Sequence, residues 1–199
     1  MLSLKPFIRS TTPEALTQDL SVMADLSLVT ANTAEISFKW MDPKGEILFS
    51  DQDQAGRVVG LWEATCFEVF IQPIAESRPQ SVQNLNAPVR YYETNFSFDK
   101  SWNVFGFTDY RTPAAPTELL EAKILSFDVL QSSGNGQMKI VLQVEGADWR
   151  KVRISLCAVI ATRSYGKSYW SFKHADDKAN FHHVDSFIIE RSLPEGSTT

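Results

Sequence analysis

Apolar and polar residues alternate with a period of two along most of this chain. That is the pattern of strands turning one face to a core and the other away from it. Ile36, Phe38 and Trp40 alternate with Glu35, Ser37 and Lys39, and Asp42-Pro43-Lys44-Gly45 predicts a turn into a partner strand over 46–50. Over 65–73, Phe67, Val69 and Ile71 share one face, Cys66, Glu68, Phe70 and Gln72 the other, and Pro73 ends the strand. The clearest alternation covers 90–98, where Tyr92, Thr94, Phe96 and Phe98 oppose Tyr91, Glu93, Asn95 and Ser97. Asp99-Lys100-Ser101 predicts a turn into a strand over 102–108.

In the second half, Leu125, Phe127 and Val129 alternate within a strand read over 119–130, and residues 132–136 carry a hairpin turn signal. Met138, Ile140, Leu142 and Val144 define one further core face, and Ile154, Leu156, Ala158 and Ile160 another. Two last strands fall over 168–173 and 186–190. Only 13–20 and 176–179 read as helical turns, 74–88 reads as a long polar loop, and 111–117, with Pro113 and Pro116, as a linker. The sum is roughly ten strands, which predicts an all-β fold: an antiparallel two-sheet β-sandwich, jelly-roll-like in its curvature.

Composition narrows the function classes. A length of 199 residues suits a single domain over 1–199, and thirteen Phe and five Trp favour pleated, half-buried surfaces. A net charge of −5 with no basic run argues against nucleic-acid binding. No window approaches the ~20 apolar residues of a membrane helix. The first ten residues lack the apolar run of a secretory signal, so a chain starting at Met1 is expected in the cytoplasm. Cys66 and Cys157 read as buried reduced thiols, with a disulfide between sheets as the alternative. His174, His182 and His183 form no metal-ligand spacing, so no metal or other cofactor is expected; hydrogen bonding that fixes the preceding loop is their expected role. Oligomeric state is open, and Tyr165 and Tyr169 fit either a cleft or a subunit interface.

Candidate chemistry gathers on the faces turned from the core. A polar ligand such as a sugar presents hydroxyls at its rim and C–H groups on its faces. Trp62, Tyr91, Trp102 and Trp170 are candidates for the second kind of contact, and Glu68, Glu93 and Asn95 for the first. Each has a plainer reading: Trp62 as an edge cap, Glu68 as a structural carboxyl, Asn95 as part of a solvated face. Trp40 and Trp149 read as packing.

Leu61-Trp-Glu-x-x-Cys-Phe-Glu-Val-Phe-Ile71, with Tyr91-Tyr-Glu-Thr-Asn-Phe-Ser97, resembles the DOMON-like superfamily, which includes family 9 carbohydrate-binding modules and haem-binding cytochrome domains. The ending from Tyr169-Trp-Ser-Phe-Lys-His174 to Phe181-His-His-Val-Asp185 resembles a small bacterial branch of that group, and the likeness spans 35–191. It implies a stacking role for Trp62, a carboxylate role for Glu68, a ligand contact from Asn95 and a second aromatic wall, for which Trp170 is the candidate. Thr65 stands where the sugar-binding motif has Asp, and Glu93 where it has Arg. The expected activity is non-catalytic binding of a small polar ligand, with a carbohydrate foremost. The alternatives are a haem domain using the histidines with Met41 or Met138, a protein-interaction module, or a sugar-processing enzyme built on Glu68 and Glu93.

Overall fold

The computed structural model describes residues 1–7, 20–49, 55–74 and 89–195. Among them are fourteen strands: β1 (Leu2–Ser3), β2 (Lys5–Pro6), β3 (Ser21–Thr30), β4 (Thr33–Met41), β5 (Gly56–Arg57), β6 (Cys66–Pro73), β7 (Tyr91–Phe96), β8 (Ser101–Phe107), β9 (Thr117–Glu118), β10 (Ala122–Ser132), β11 (Asn135–Val144), β12 (Lys151–Thr162), β13 (Gly166–Ser171) and β14 (Ile189–Ser192). They form two sheets. The smaller runs β1-β3-β4-β11-β10; the larger runs β2-β13-β12-β6-β7-β8-β5, with β14 also on β12 and β9 on β8. All-β sandwich architecture is therefore as expected. The strand total exceeds ten because β1, β2, β5 and β9 are two-residue pieces.

The core lies between the sheets and follows the sequence alternation. Val22, Leu26, Ile36, Phe38, Met138, Ile140 and Leu142 from the small sheet meet Phe67, Val69, Ile71, Phe96, Val104, Ile154 and Leu156 from the large one. Trp149 is fully buried there, edge-on to Tyr92 at 5.5 Å. The expected hairpin at 132–136 forms as a two-residue turn, Ser132 opposite Asn135, with Gly134 at φ 78°.

Four local expectations are corrected. The partner of β4 is β3, not residues 46–50. Asp42 explains why: its carboxylate accepts the N–H groups of Glu46 and Ile47, each at 2.8 Å, and folds that segment into a loop. Of the described residues there, only Ile47 makes a ladder contact, a bridge to Thr162. Leu125 does not share a face with Phe127, because a bulge between Ile124 and Ser126 shifts the register and leaves Leu125 exposed. Residues 176–179 form no helical turn, with bends at 176–178 only, and β14 starts at Ile189 because Val184–Ser186 form a short 3-10 turn. The other predicted helical turn falls on 13–20, which apart from Leu20 lies outside the described residues, as does most of 74–88.

Candidate functional site

The large sheet has a second buried face, turned away from the sandwich core. Cys66, Phe70, Tyr91, Phe105, Phe107, Cys157 and Val159 project from it and are covered by Phe181 and Phe187, with Leu61 and Trp62 at the side. Phe181 and Phe187 belong to the stretch between β13 and β14, which crosses over the sheet. Trp62 comes from the 3-10 turn Leu61–Glu63 that leads into β6.

Polar groups are set into this greasy layer. Ser171, Cys157, Glu68, Asn95 and Asn103 stand in register across β13, β12, β6, β7 and β8. Glu93, two residues from Asn95 on the same face, lies opposite Phe70. All are buried. A buried carboxyl needs donors to replace lost water. Glu93 has them: Asn95 Nδ2 donates to its Oε1 at 2.9 Å, and His182 Nε2 lies 3.5 Å from its Oε2. Glu68 Oε1 has none among the described residues.

Beside the two acids opens a cavity of about 360 Å³. Glu68 and Glu93 lie in its floor; Trp62, Phe181 and Tyr169 are among its walls, and Arg111, Lys167 and His182 also border it. Phe105 supports Trp62 edge-on at 5.8 Å. Burial pushes the Glu68 carboxyl well above its ordinary range, and the neighbouring Glu93 charge adds to this. Burial also raises Glu93, against the pull of the Asn95 hydrogen bond. Burial, then the Arg111 charge, pushes the His182 imidazole down to about 3, so it is neutral at physiological pH. A neutral ring has one donor and one acceptor. Tyr91 Oη accepts the Arg111 backbone N–H at 3.1 Å and lies 2.9 Å from His182 Nδ1. The assignment that satisfies each group has Tyr91 donating to Nδ1, leaving Nε2–H directed at Glu93.

The seven sequence candidates therefore separate. Trp62, Glu68 and Glu93 border the cavity. Asn95 is fully buried behind it and holds Glu93 in place. Tyr91 stacks on Phe107 at 4.8 Å and supports His182 from beneath; it borders a neighbouring depression of about 270 Å³ with Gln72, Arg90 and Phe187. Trp170 and Trp102 are corrections. Trp170 is 2% exposed in the inter-sheet core, its Nε1–H donated to Ser168 Oγ at 3.0 Å. Trp102 packs against the same core under the Arg57 guanidinium, 4.3 Å from the ring. Both follow from strand parity: Trp170 shares a side with the inward Ala158 it pairs with, and Trp102 with Val104.

The sequence reading missed Arg111, placed in a linker, and gave His182 only a loop-fixing role. Loop residues have no periodicity to reveal what they cover. Phe181 and Phe187 were the available signal, since large apolar residues in a polar stretch need a surface to sit on. Tyr169 is at the cavity, whereas Tyr165 packs on the inter-sheet core. Thr65 is structural: its hydroxyl donates to Leu48 O at 2.6 Å and accepts the Ala161 N–H at 3.1 Å. Met138 is buried between the sheets and Met41 is exposed on β4. His174 lies 2.8 Å from the Lys5 carbonyl, and His183 Nδ1 accepts the Asp185 N–H.

Cys66 and Cys157 are free, buried and on the same outer face, so no bond links the sheets through them. Burial raises both thiols, Cys157 to about 12. Thiolate is the reactive form. Neither cysteine is expected to react with a thiol reagent in the native protein, while both titrate at once in urea; prompt labelling of the folded protein would show that the layer over them is open.

No family model and no curated protein matches the chain. Solved structures do share its fold. A family 9 carbohydrate-binding module from Caldicellulosiruptor kristjanssonii in complex with glucose superposes with a TM-score of 0.55 at 9% identity, over 96% of this chain and 84% of that one. The structure of such a module from the same organism with cellotriose gives a TM-score of 0.57 at 10% identity, over 100% and 86%. The architecture is thus that of family 9 carbohydrate-binding modules. Among the described residues no helix is long and apolar enough to cross a membrane.

Proposed function

We propose that this protein is a non-catalytic binding module that takes a small hydroxylated ligand, a carbohydrate, in the cavity floored by Glu68 and Glu93. The observation that carries this reading is Glu68 Oε1, a buried acceptor beside an accessible cavity with no partner among the described residues. Such an atom costs about 1–3 kcal/mol while unpaired, and a ligand hydroxyl would satisfy it. Trp62 and Tyr169 offer ring surface to the C–H faces of a sugar. The shared fold with modules that hold glucose and cellotriose supports the ligand class. Glu93 is engaged by Asn95 and faces His182, which suits a fixed hydrogen-bonding wall better than a carboxyl that must exchange protons with substrate.

In this reading Trp62 and Glu68 touch the ligand, whereas Asn95 and Tyr91 position Glu93 and His182. Calorimetric titration with a panel of mono- and oligosaccharides tests it. Trp62→Ala is expected to weaken binding by about tenfold, the worth of one aromatic contact, with the fold intact by circular dichroism. Trp102→Phe, a change on the core side, is expected to leave affinity unaltered. Normal affinity in Trp62→Ala would place the ligand elsewhere.

A further inference from the structure

The floor of the cavity is short of donors. Glu68 and Glu93 bring four carboxyl oxygens to adjacent strands. Facing them are one amide donor from Asn95 at 2.9 Å and the His182 Nε2 at 3.5 Å, while the Cys66 thiol is directed to Asn95 Oδ1 at 3.8 Å, and Glu68 Oε1 is left with no partner among the described residues. Among the described residues no lysine or arginine forms an ion pair with either acid. Arg111 and Lys167 border the cavity but are exposed, and Lys167 Nζ is directed to the Trp62 carbonyl at 3.4 Å. The site therefore has an acidic, largely buried floor beneath a solvated cationic rim, whose Arg111 charge reaches Glu68, Glu93 and His182 without a direct bond to either acid. Water screens the rim charges far more than the floor.

A neutral hydroxyl can donate one hydrogen bond to this floor and leaves the two carboxyls facing each other. An ammonium donates three and brings the charge against which a carboxyl held up by burial ionises, its proton passing to water through the open cavity, and charge-assisted bonds are roughly twice as strong as neutral ones. We propose that the cavity selects a carbohydrate bearing a free primary amine, an amino sugar, whose ammonium bonds Glu68 Oε1 and the face of Glu93 beside it while the ring lies against Trp62. This rests on the carbohydrate-binding reading above and specifies which sugars it covers.

The test is calorimetric titration of the full chain with glucosamine, N-acetylglucosamine and glucose at about pH 6, below the ordinary range of an amine. Glucosamine is expected to bind at least about tenfold more tightly than either of the others, as one charge-assisted hydrogen bond to a buried group provides. In Glu68→Gln, which keeps the shape and removes the charge, the three affinities are expected to converge, with thermal melting reporting an intact fold. If wild-type protein binds glucose as well as or better than glucosamine, the amine proposal falls and the carbohydrate reading stands. If the glucosamine preference survives in Glu68→Gln, the proposal falls as well. If none of the three binds, both fall.

Discussion

Gly136→Ala is expected to destabilise the protein by about 1–3 kcal/mol or more, the range of overpacking in a tight core. Gly136 on β11 lies directly opposite Trp40 on β4. A Cβ at 136 would sit 2.0 Å from Trp40 Cζ2 and 2.3 Å from Cε2, well inside van der Waals contact. The indole cannot swing aside, because it is 2% exposed and packed on Phe67 at 5.2 Å and Phe49 at 5.5 Å. The glycine is needed here for space. The atoms that clash all belong to the six-membered ring of the indole, so Trp40→Phe relieves the contact while opening a void. Urea unfolding of the single and double variants is expected to show Gly136→Ala/Trp40→Phe losing less than the sum of its parts, the sign of coupled neighbours. A Gly136→Ala protein with the wild-type midpoint would mean that this strand pair stands further apart than described.

Glu68→Gln is expected to raise stability by about 1 kcal/mol or more near pH 7, because the amide leaves a polar atom in the same place but not the charge that burial penalises. The sign follows from linkage. Burial lifts the folded-state pKa of Glu68 well above the ordinary glutamate value, and raises that of Glu93 as well. Between the unfolded and folded values the native state holds more protons than the unfolded chain, so stability declines as pH rises through that window. The advantage of the amide is therefore expected to shrink as pH falls and to vanish near about pH 4.5. The same change in Glu93 is expected to gain less, because its Oε1 already accepts from Asn95. Thermal melts of the three proteins from neutral to acid pH measure this. A Glu68→Gln protein less stable than wild type at pH 7 would mean that the carboxyl has donors in the free protein. Stability relinquished at a binding residue is a common exchange.

The alternation of Phe67, Val69 and Ile71 against Glu68 and Phe70, and of Tyr92 and Phe96 against Glu93 and Asn95, was enough to place both acids and the amide on one side of the large sheet. Side-chain period in a strand is fixed by the backbone, so this much is readable without coordinates. The same parity, applied to Trp102 through Val104 and to Trp170 through the strand it pairs with, assigns those rings to the core. The strand Ser21–Thr30 is absent from the sequence reading although Val22, Ala24, Leu26 and Leu28 alternate along it; that alternation marks a core face, while the pairing with β4 comes from the structure. What sequence does not contain is the cover over the outer face. Arg111, Phe181 and His182 reach the site from irregular segments whose course is set by long-range packing and by bonds such as Tyr91 to His182, with no local period to betray it. Nor does the sequence contain the site's depth: alternation alone gives Glu68, Glu93 and Asn95 as one wall of a polar surface, whereas aromatic residues from elsewhere in the chain bury them almost completely.

Carbon-13 NMR of the glutamate side-chain carboxyls, assigned with the Gln variants, reads the floor of the cavity directly. On addition of saturating amino sugar the Glu68 and Glu93 resonances are expected to move together toward the ionised position, while Glu35 and Glu190 on the surface stay fixed. If the sugar binds and the two buried carboxyls do not respond, the ligand does not rest on Glu68 and the cavity is not the binding site.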